Sequence, residues 1–78
     1  MAEKVYLSRL RYSGGIQILL GVYKYKETAM SQCELDIKYQ SKKIDKDWYS
    51  EINGYDKLIT EDQSTYSVSE WSVSTRKV

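Results

Sequence analysis

Histidine is missing from this 78-residue chain and cysteine occurs once, at Cys33, which removes much of the usual catalytic repertoire. Without an imidazole there is no histidine-based triad, no His-ligated metal and no ordinary base for neutral pH. One thiol builds neither a thiolate zinc site nor a C-x-x-C redox pair. Asp45 and Asp47 stand two apart and Glu61 adjoins Asp62, but none lies in a D-x-D-x-D-G calcium frame. Two carboxylates could serve glycosidic hydrolysis only in a deep cleft, which a small sheet with one helix does not offer. Ser13-Gly14-Gly15 lacks the lysine and the helix start of a phosphate loop and reads as a turn. The expectation is a non-enzymatic protein with no metal and no cofactor.

Binding is the chemistry left open. Arg9, Arg11, Tyr12, Tyr23, Lys24, Tyr25 and Lys26 cluster within the first third of the chain, and Trp71 stands near its end. Aromatic rings flanked by cations can stack unpaired bases. The same residue types anchor protein interfaces, where tyrosine, tryptophan and arginine carry much of the energy. Charge limits the first possibility. Twelve basic residues face eleven acidic ones, a net charge of +1, which does not suit a chain devoted to neutralising phosphates. Residues 1–26 nevertheless hold five cations against the single acid Glu3, so the basic character is local.

These residues must be carried by a few short elements. "KVYLSRLRY" (Lys4 to Tyr12) is rich in strand formers, with Val5 and Leu7 on one face and Tyr6, Leu10 and Tyr12 on the other. After the Ser13-Gly14-Gly15 turn, "IQILLGVYKY" places Ile16, Ile18, Leu20 and Val22 on one face and Leu19, Gly21, Tyr23 and Tyr25 on the other. The two runs are expected to form an antiparallel hairpin with a well-buried second strand. From Lys26 to about Gln40 the period becomes helical, with Ala29, Met30, Cys33 and Ile37 in one apolar stripe. Cys33 on that stripe is expected to be a buried, inert thiol. Glu34 and Lys38 stand four apart in the favourable order, and Glu27 suits the helix start.

Residues 41–63 admit two readings. Asn53-Gly54 between "WYSEI" and "YDKLIT" signals a hairpin. A short helix capped by Asp45 or Asp47 and closed by Gly54 fits as well, and the lack of clean alternation on both sides tips the expectation towards it. "STYSVSEWSVS" then reads as a strand whose apolar residues change parity between Val68 and Trp71, through a bulge or through exposure of one side. Thr75 to Val78 form a basic tail expected to fray. The sum is one α+β domain over residues 1–78, a three-stranded antiparallel sheet of order 2-1-3. One helix packs on one face, and a short helix or hairpin excursion precedes the last strand. One helix covers one sheet face only, so the other must meet solvent, the excursion or a partner.

At 41% apolar and 29% charged, the composition is that of an ordinary globular chain with a small core. A lone cysteine, no apolar leader in "MAEKVYLSRL" and no stretch approaching a membrane span suggest a reducing, cytoplasmic setting.

Val5-Tyr6, Gly21-Val22-Tyr23, Glu27 with Ala29, and the Tyr66 to Val73 run occur in the order V-Y, G-V-Y, E-x-A, Y-x-V-x-E-W. This pattern resembles small uncharacterised ββαβ proteins of tailed phages and bacteria. It covers about two thirds of the chain, leaves residues 41–63 outside, and departs at Tyr25-Lys26, where a serine or threonine would cap the helix. The resemblance implies that fold and a phage setting but no activity. The expected function is binding and modulation of a host protein, a defence component being the concrete version. The alternatives are single-stranded nucleic-acid binding through the hairpin face and a self-assembling homodimer.

Overall fold

The computed structural model describes residues 2–74. Its elements are β1 (Ala2–Arg11), β2 (Gln17–Tyr23), α1 (Lys26–Tyr39), β3 (Ile44–Ile52), β4 (Tyr55–Thr60) and β5 (Thr65–Ser74). The strands form one antiparallel sheet of order β2-β1-β5-β4-β3. This corrects the expected three-stranded sheet of order 2-1-3. The sheet has five strands because residues 44–60 are a β-hairpin turning at Asn53-Gly54, not a short helix. Gly54 supplies the positive φ of 84° that this turn requires. The expected frayed tail, Thr75 to Val78, lies outside the described residues.

Two hairpins share one loop design. Between β1 and β2, the Tyr12 and Gly15 amides donate to the Ile16 and Tyr12 carbonyls, at 2.7 and 2.8 Å, with Gly15 at φ 93°. Between β4 and β5, the Thr60 and Gln63 amides donate to the Ser64 and Thr60 carbonyls, both at 3.0 Å, with Gln63 at φ 68°. Each loop has three residues and ends in the left-handed conformation. The second puts glutamine where the first puts glycine. Asp62 steadies it by accepting from the Thr60 hydroxyl and, at 3.1 Å, from the Ser64 amide. These bonds hold the Asp62 carboxyl at about 2.

The core lies between α1 and the face of the sheet that α1 covers. Leu10 of β1, Tyr66 and Val68 of β5 and Leu58 of β4 meet Ala29, Cys33 and Ile37 of the helix, all buried. Register places Ile18, Leu10, Tyr66 and Leu58 in one row on that face. The next row, Gly21, Ser8, Val68 and Asp56, has small residues beneath the helix, and the Ser8 hydroxyl donates to the Ala29 carbonyl at 2.8 Å. The backbone of α1 runs closest to β1, β2 and β5, while β4 reaches it through side chains such as Leu58. Trp48 of β3 also packs against the core, and its Nε1 donates to Glu34 on α1 at 2.9 Å. Glu34 is thus engaged from β3.

The helix begins at Tyr25 with no side-chain cap, as the Tyr25-Lys26 step implies. It ends with the Ser41 amide donating to the Lys38 carbonyl at 3.1 Å and the Lys42 amide to Ile37 at 2.9 Å. This is a Schellman closure with Ser41, at φ 55°, in the position that glycine favours.

The reading of β2 is corrected in two respects. β2 is not well buried: it is the sheet edge, with Ile16, Ile18, Leu19 and Val22 exposed. Its strict two-residue alternation also fails, because Gly21 pairs with Ser8 and Leu19 with Arg9, leaving Leu20 as an extra residue. That slip puts Leu19 and Val22 on one face and Ile18, Gly21 and Tyr23 on the other. In β5 no bulge is needed: its register with β1 is unbroken, and Trp71 and Val73 simply belong to the uncovered face. Among the described residues no helix is long and apolar enough to cross a membrane.

Candidate binding surface

The uncovered face is assembled from residues of all five strands, alternate in β1, β4 and β5 and spaced by register slips in β2 and β3, and pairing puts them in rows. One row is Val22, Leu7, Ser69 and Tyr55; the next is Leu19, Arg9, Ser67, Lys57 and Tyr49; a third is Gln17, Arg11, Thr65, Ile59 and Lys46. Towards the end of the sheet Val5 pairs with Trp71 and Glu3 with Val73. Small residues line the central strand, so Ser67 and Ser69 form a floor at 5% exposure with larger side chains standing around them.

Trp71 lies beside that floor rather than pointing away from it. Its indole Nε1 donates to the Ser69 hydroxyl two residues earlier, at 3.0 Å. The Arg9 guanidinium carbon sits 5.8 Å from the ring centroid, within cation–π range. The ring remains 49% exposed. On the other side of the floor, Lys57 stands 5.4 Å from the Tyr55 ring and 3.6 Å from the Glu51 carboxylate, and Lys46 stands 4.0 Å from the Tyr49 ring. Arg11, Tyr49, Tyr55, Lys57 and Ile59 border a shallow depression of about 300 Å³.

The face therefore has two parts. Val5, Leu7, Leu19, Val22, Trp71 and Val73 form a mainly apolar region at one end, with the exposed Glu3 at its margin. Arg9, Arg11, Lys46 and Lys57 interleave with Tyr49 and Tyr55 over the remainder. Aromatics and arginine beside apolar residues are the composition of a recognition surface.

The residues singled out by sequence divide between the two sides of the sheet. Arg9, Arg11 and Trp71 come together on the uncovered face. Tyr12 and Tyr23 pack against the core instead. The Tyr23 phenol folds over Gly21 and fills the space a Cβ there would need. The Tyr12 ring is one wall for the Lys42 ammonium, which lies 5.1 Å from it and 5.3 Å from Tyr66. Lys24 and Tyr25 are exposed on the link to α1, with the Lys24 ammonium 5.9 Å from the Tyr25 ring. Lys26 pairs with the buried carboxylate of Asp56 at 2.7 Å, and that bond raises its pKa. A cation holding a buried carboxylate has structural work, because Asp56 without it would be desolvated and unpaired.

Lys46, Tyr49, Tyr55 and Lys57 were missed by the sequence reading. The signal was the alternation of Tyr55, Lys57 and Ile59 after Asn53-Gly54, which the hairpin reading would have placed on one face.

Among the described residues no three His, Cys, Asp or Glu side chains converge to hold a metal. Cys33 is buried, and burial pushes its thiol up to about 11. No family model, curated protein or solved structure matches the chain.

Proposed function

We propose that this chain is a non-enzymatic binding protein that engages a second protein through the uncovered face of its sheet. The observation that carries this reading is the union on one face of an apolar end and a basic aromatic region. A protein surface with an apolar centre and a flank of carboxylates complements both parts. A phosphate backbone complements only the second. Trp71 and Arg9, at the junction of the two parts, are the expected anchors. The resemblance to small phage proteins supports a host protein as the partner, with modulation of that protein, a defence component among the candidates, as the outcome.

The second reading, single-stranded nucleic acid, is favoured by one feature. Trp71 is held by Ser69 with an arginine beside its ring, an arrangement that could stack a base.

Affinity capture with the intact chain, paired with oligonucleotide titration, separates the two. A protein partner predicts specific capture that is lost with Trp71→Ala and with Arg9→Ala, and oligonucleotide affinity that is negligible even at low salt. Nucleic-acid binding predicts retention on single strands that falls steeply with salt and weakens with Arg11→Ala and Lys57→Ala. Capture indifferent to Trp71→Ala and Arg9→Ala would remove the uncovered face from the function.

A further inference from the structure

The two edges of the sheet are built to opposite rules. β3 carries Asp45, Lys46, Asp47 and Glu51 and shifts register against β4 at three places. Charge and irregularity of this kind blunt an edge against pairing with another chain. β2 reads QILLGVY and has no charged residue, and the uncharged stretch runs from Tyr12 to Tyr23. It pairs with β1 along one side, and among the described residues nothing pairs with its other side.

Apolar surface wraps around this free edge from one layer of the molecule to the other. Leu19 and Val22 are exposed on the uncovered face, and Ile18, 41% exposed, lies on the helix side. Next to it α1 presents Leu35 and Tyr39, at 56% and 89% exposure, neither of them part of the core. Leu20, Tyr23, Leu35 and Tyr39 line a depression of about 690 Å³ between strand and helix. Asp36 and Lys38, one of each sign, stand at its rim.

An uncharged strand meets an identical strand without like-charge repulsion, whereas it offers a charged partner nothing to select. Antiparallel pairing of two β2 edges is closed by a two-fold axis perpendicular to the sheet, and that axis keeps both helices on the same side. We propose that β2 and the exposed flank of α1 form a homodimer interface, joining two sheets into one of ten strands. Leu35 and Tyr39 of the two copies then converge over the seam, and Asp36 and Lys38 of one copy face the opposite signs of the other. This inference does not depend on the proposed function, and it leaves Trp71, Arg9 and Lys57 uncovered on both copies.

Analytical ultracentrifugation of the full chain over a wide concentration range tests it, with Ile18→Lys and Tyr39→Glu as variants. The expected result is a mass that rises from 9.2 kDa towards twice that value with concentration. Each variant should weaken the dimer by about tenfold or more. Tyr39 is nearly free of contacts within the monomer, so Tyr39→Glu keeps the test valid should Ile18→Lys fail to fold. Trp71→Ala should leave the dimer unchanged, which separates this interface from the partner-binding face. A chain that stays monomeric throughout, or a dimer indifferent to Tyr39→Glu and broken by Trp71→Ala, would overturn the proposal.

Discussion

Trp71 is fastened to Ser69, its indole Nε1 3.0 Å from the serine hydroxyl, although both residues sit on the side of the sheet that the helix does not cover. A tryptophan whose polar edge is satisfied by its own strand keeps a large exposed ring in one orientation before any partner arrives. Less rotamer freedom then has to be surrendered on binding.

The pair formed by this ring and Arg9 is therefore expected to be measurable in the free protein. A double-mutant cycle of Arg9→Ala and Trp71→Ala, read by urea unfolding, should give a coupling of about 0.5–1 kcal/mol, the range for an exposed cation–π contact. Ser69→Ala should reduce that coupling by releasing the indole. A cycle that closes at zero would mean the two side chains act independently.

Ser41 and Gln63 occupy the left-handed region, where a Cβ costs energy and glycine does not. Ser41→Gly at the helix closure and Gln63→Gly in the β4–β5 loop should each stabilise the fold by about 0.5–1 kcal/mol. For a domain of this size that corresponds to a rise in Tm of roughly 2–8 °C. The two sites are linked, because Lys42 beside Ser41 reaches Asp62 at 3.5 Å and Ser64 at 3.4 Å on either side of Gln63, so the double exchange should depart from the sum of the single ones. Gly15→Gln, the reverse exchange at the matching loop position, should destabilise by a similar amount.

Tyr66 is fully buried, yet its hydroxyl donates to Asp36 on the helix at 2.5 Å, linking the central strand to α1. Tyr66→Phe should cost about 1.5–3 kcal/mol in chemical denaturation, the value for losing a hydrogen bond to a charged acceptor. The loss should sit at the low end because Gln40 also donates to the same carboxylate oxygen, at 2.9 Å. A neutral effect would show that water replaces the phenol freely.

Alkaline pH should loosen the fold through its buried acids. Burial raises the Cys33 thiol from 9.0 to about 11, and burial, reinforced by the hydrogen bond to Asp36, raises the Tyr66 phenol as well. Both groups hold their protons more tightly when folded, so their contribution is complete below the unfolded values near 9 and 10. It declines as pH climbs through the folded ones. Tm should be level below pH 9 and fall between 9 and 11, and the fall should be shallower in Cys33→Ala. Alkylation of Cys33 should follow global unfolding, with no fast phase from the native state.

Period was enough to locate β1, β2, α1 and β5, although β2 slips by one residue at Leu20 and the apolar residues of β5 change face after Val68. It failed at β3, where the three register shifts against β4 scramble the alternation that identifies a strand. Without β3 the fourth strand lost its hairpin partner, and Tyr49, Tyr55 and Lys57 vanished from the candidate surface. β2 misled in another way. A strand rich in isoleucine and leucine reads as interior, but apolar content does not distinguish a strand buried in the sheet from an edge left unprotected. Arg9, Arg11 and Trp71 were also chosen for their type, and register puts all three on the uncovered face. Tyr12 and Tyr23, chosen for their type, face the helix, and Lys26 has a buried carboxylate to hold.

The pairing of β1 with β5 also governs how the molecule can be made. Arg11 lies opposite Thr65 and Glu3 opposite Val73, so β1 finds its central neighbour only across the helix and the second hairpin. Leu10 and Ser8 remain without Tyr66 and Val68 until β5 is available. Folding must then be late and concerted, with a rate limited by closing the long loop between β1 and β5. During that wait the uncharged β2 is exposed beside an incomplete core, and crowding by sibling chains is the hazard to be expected.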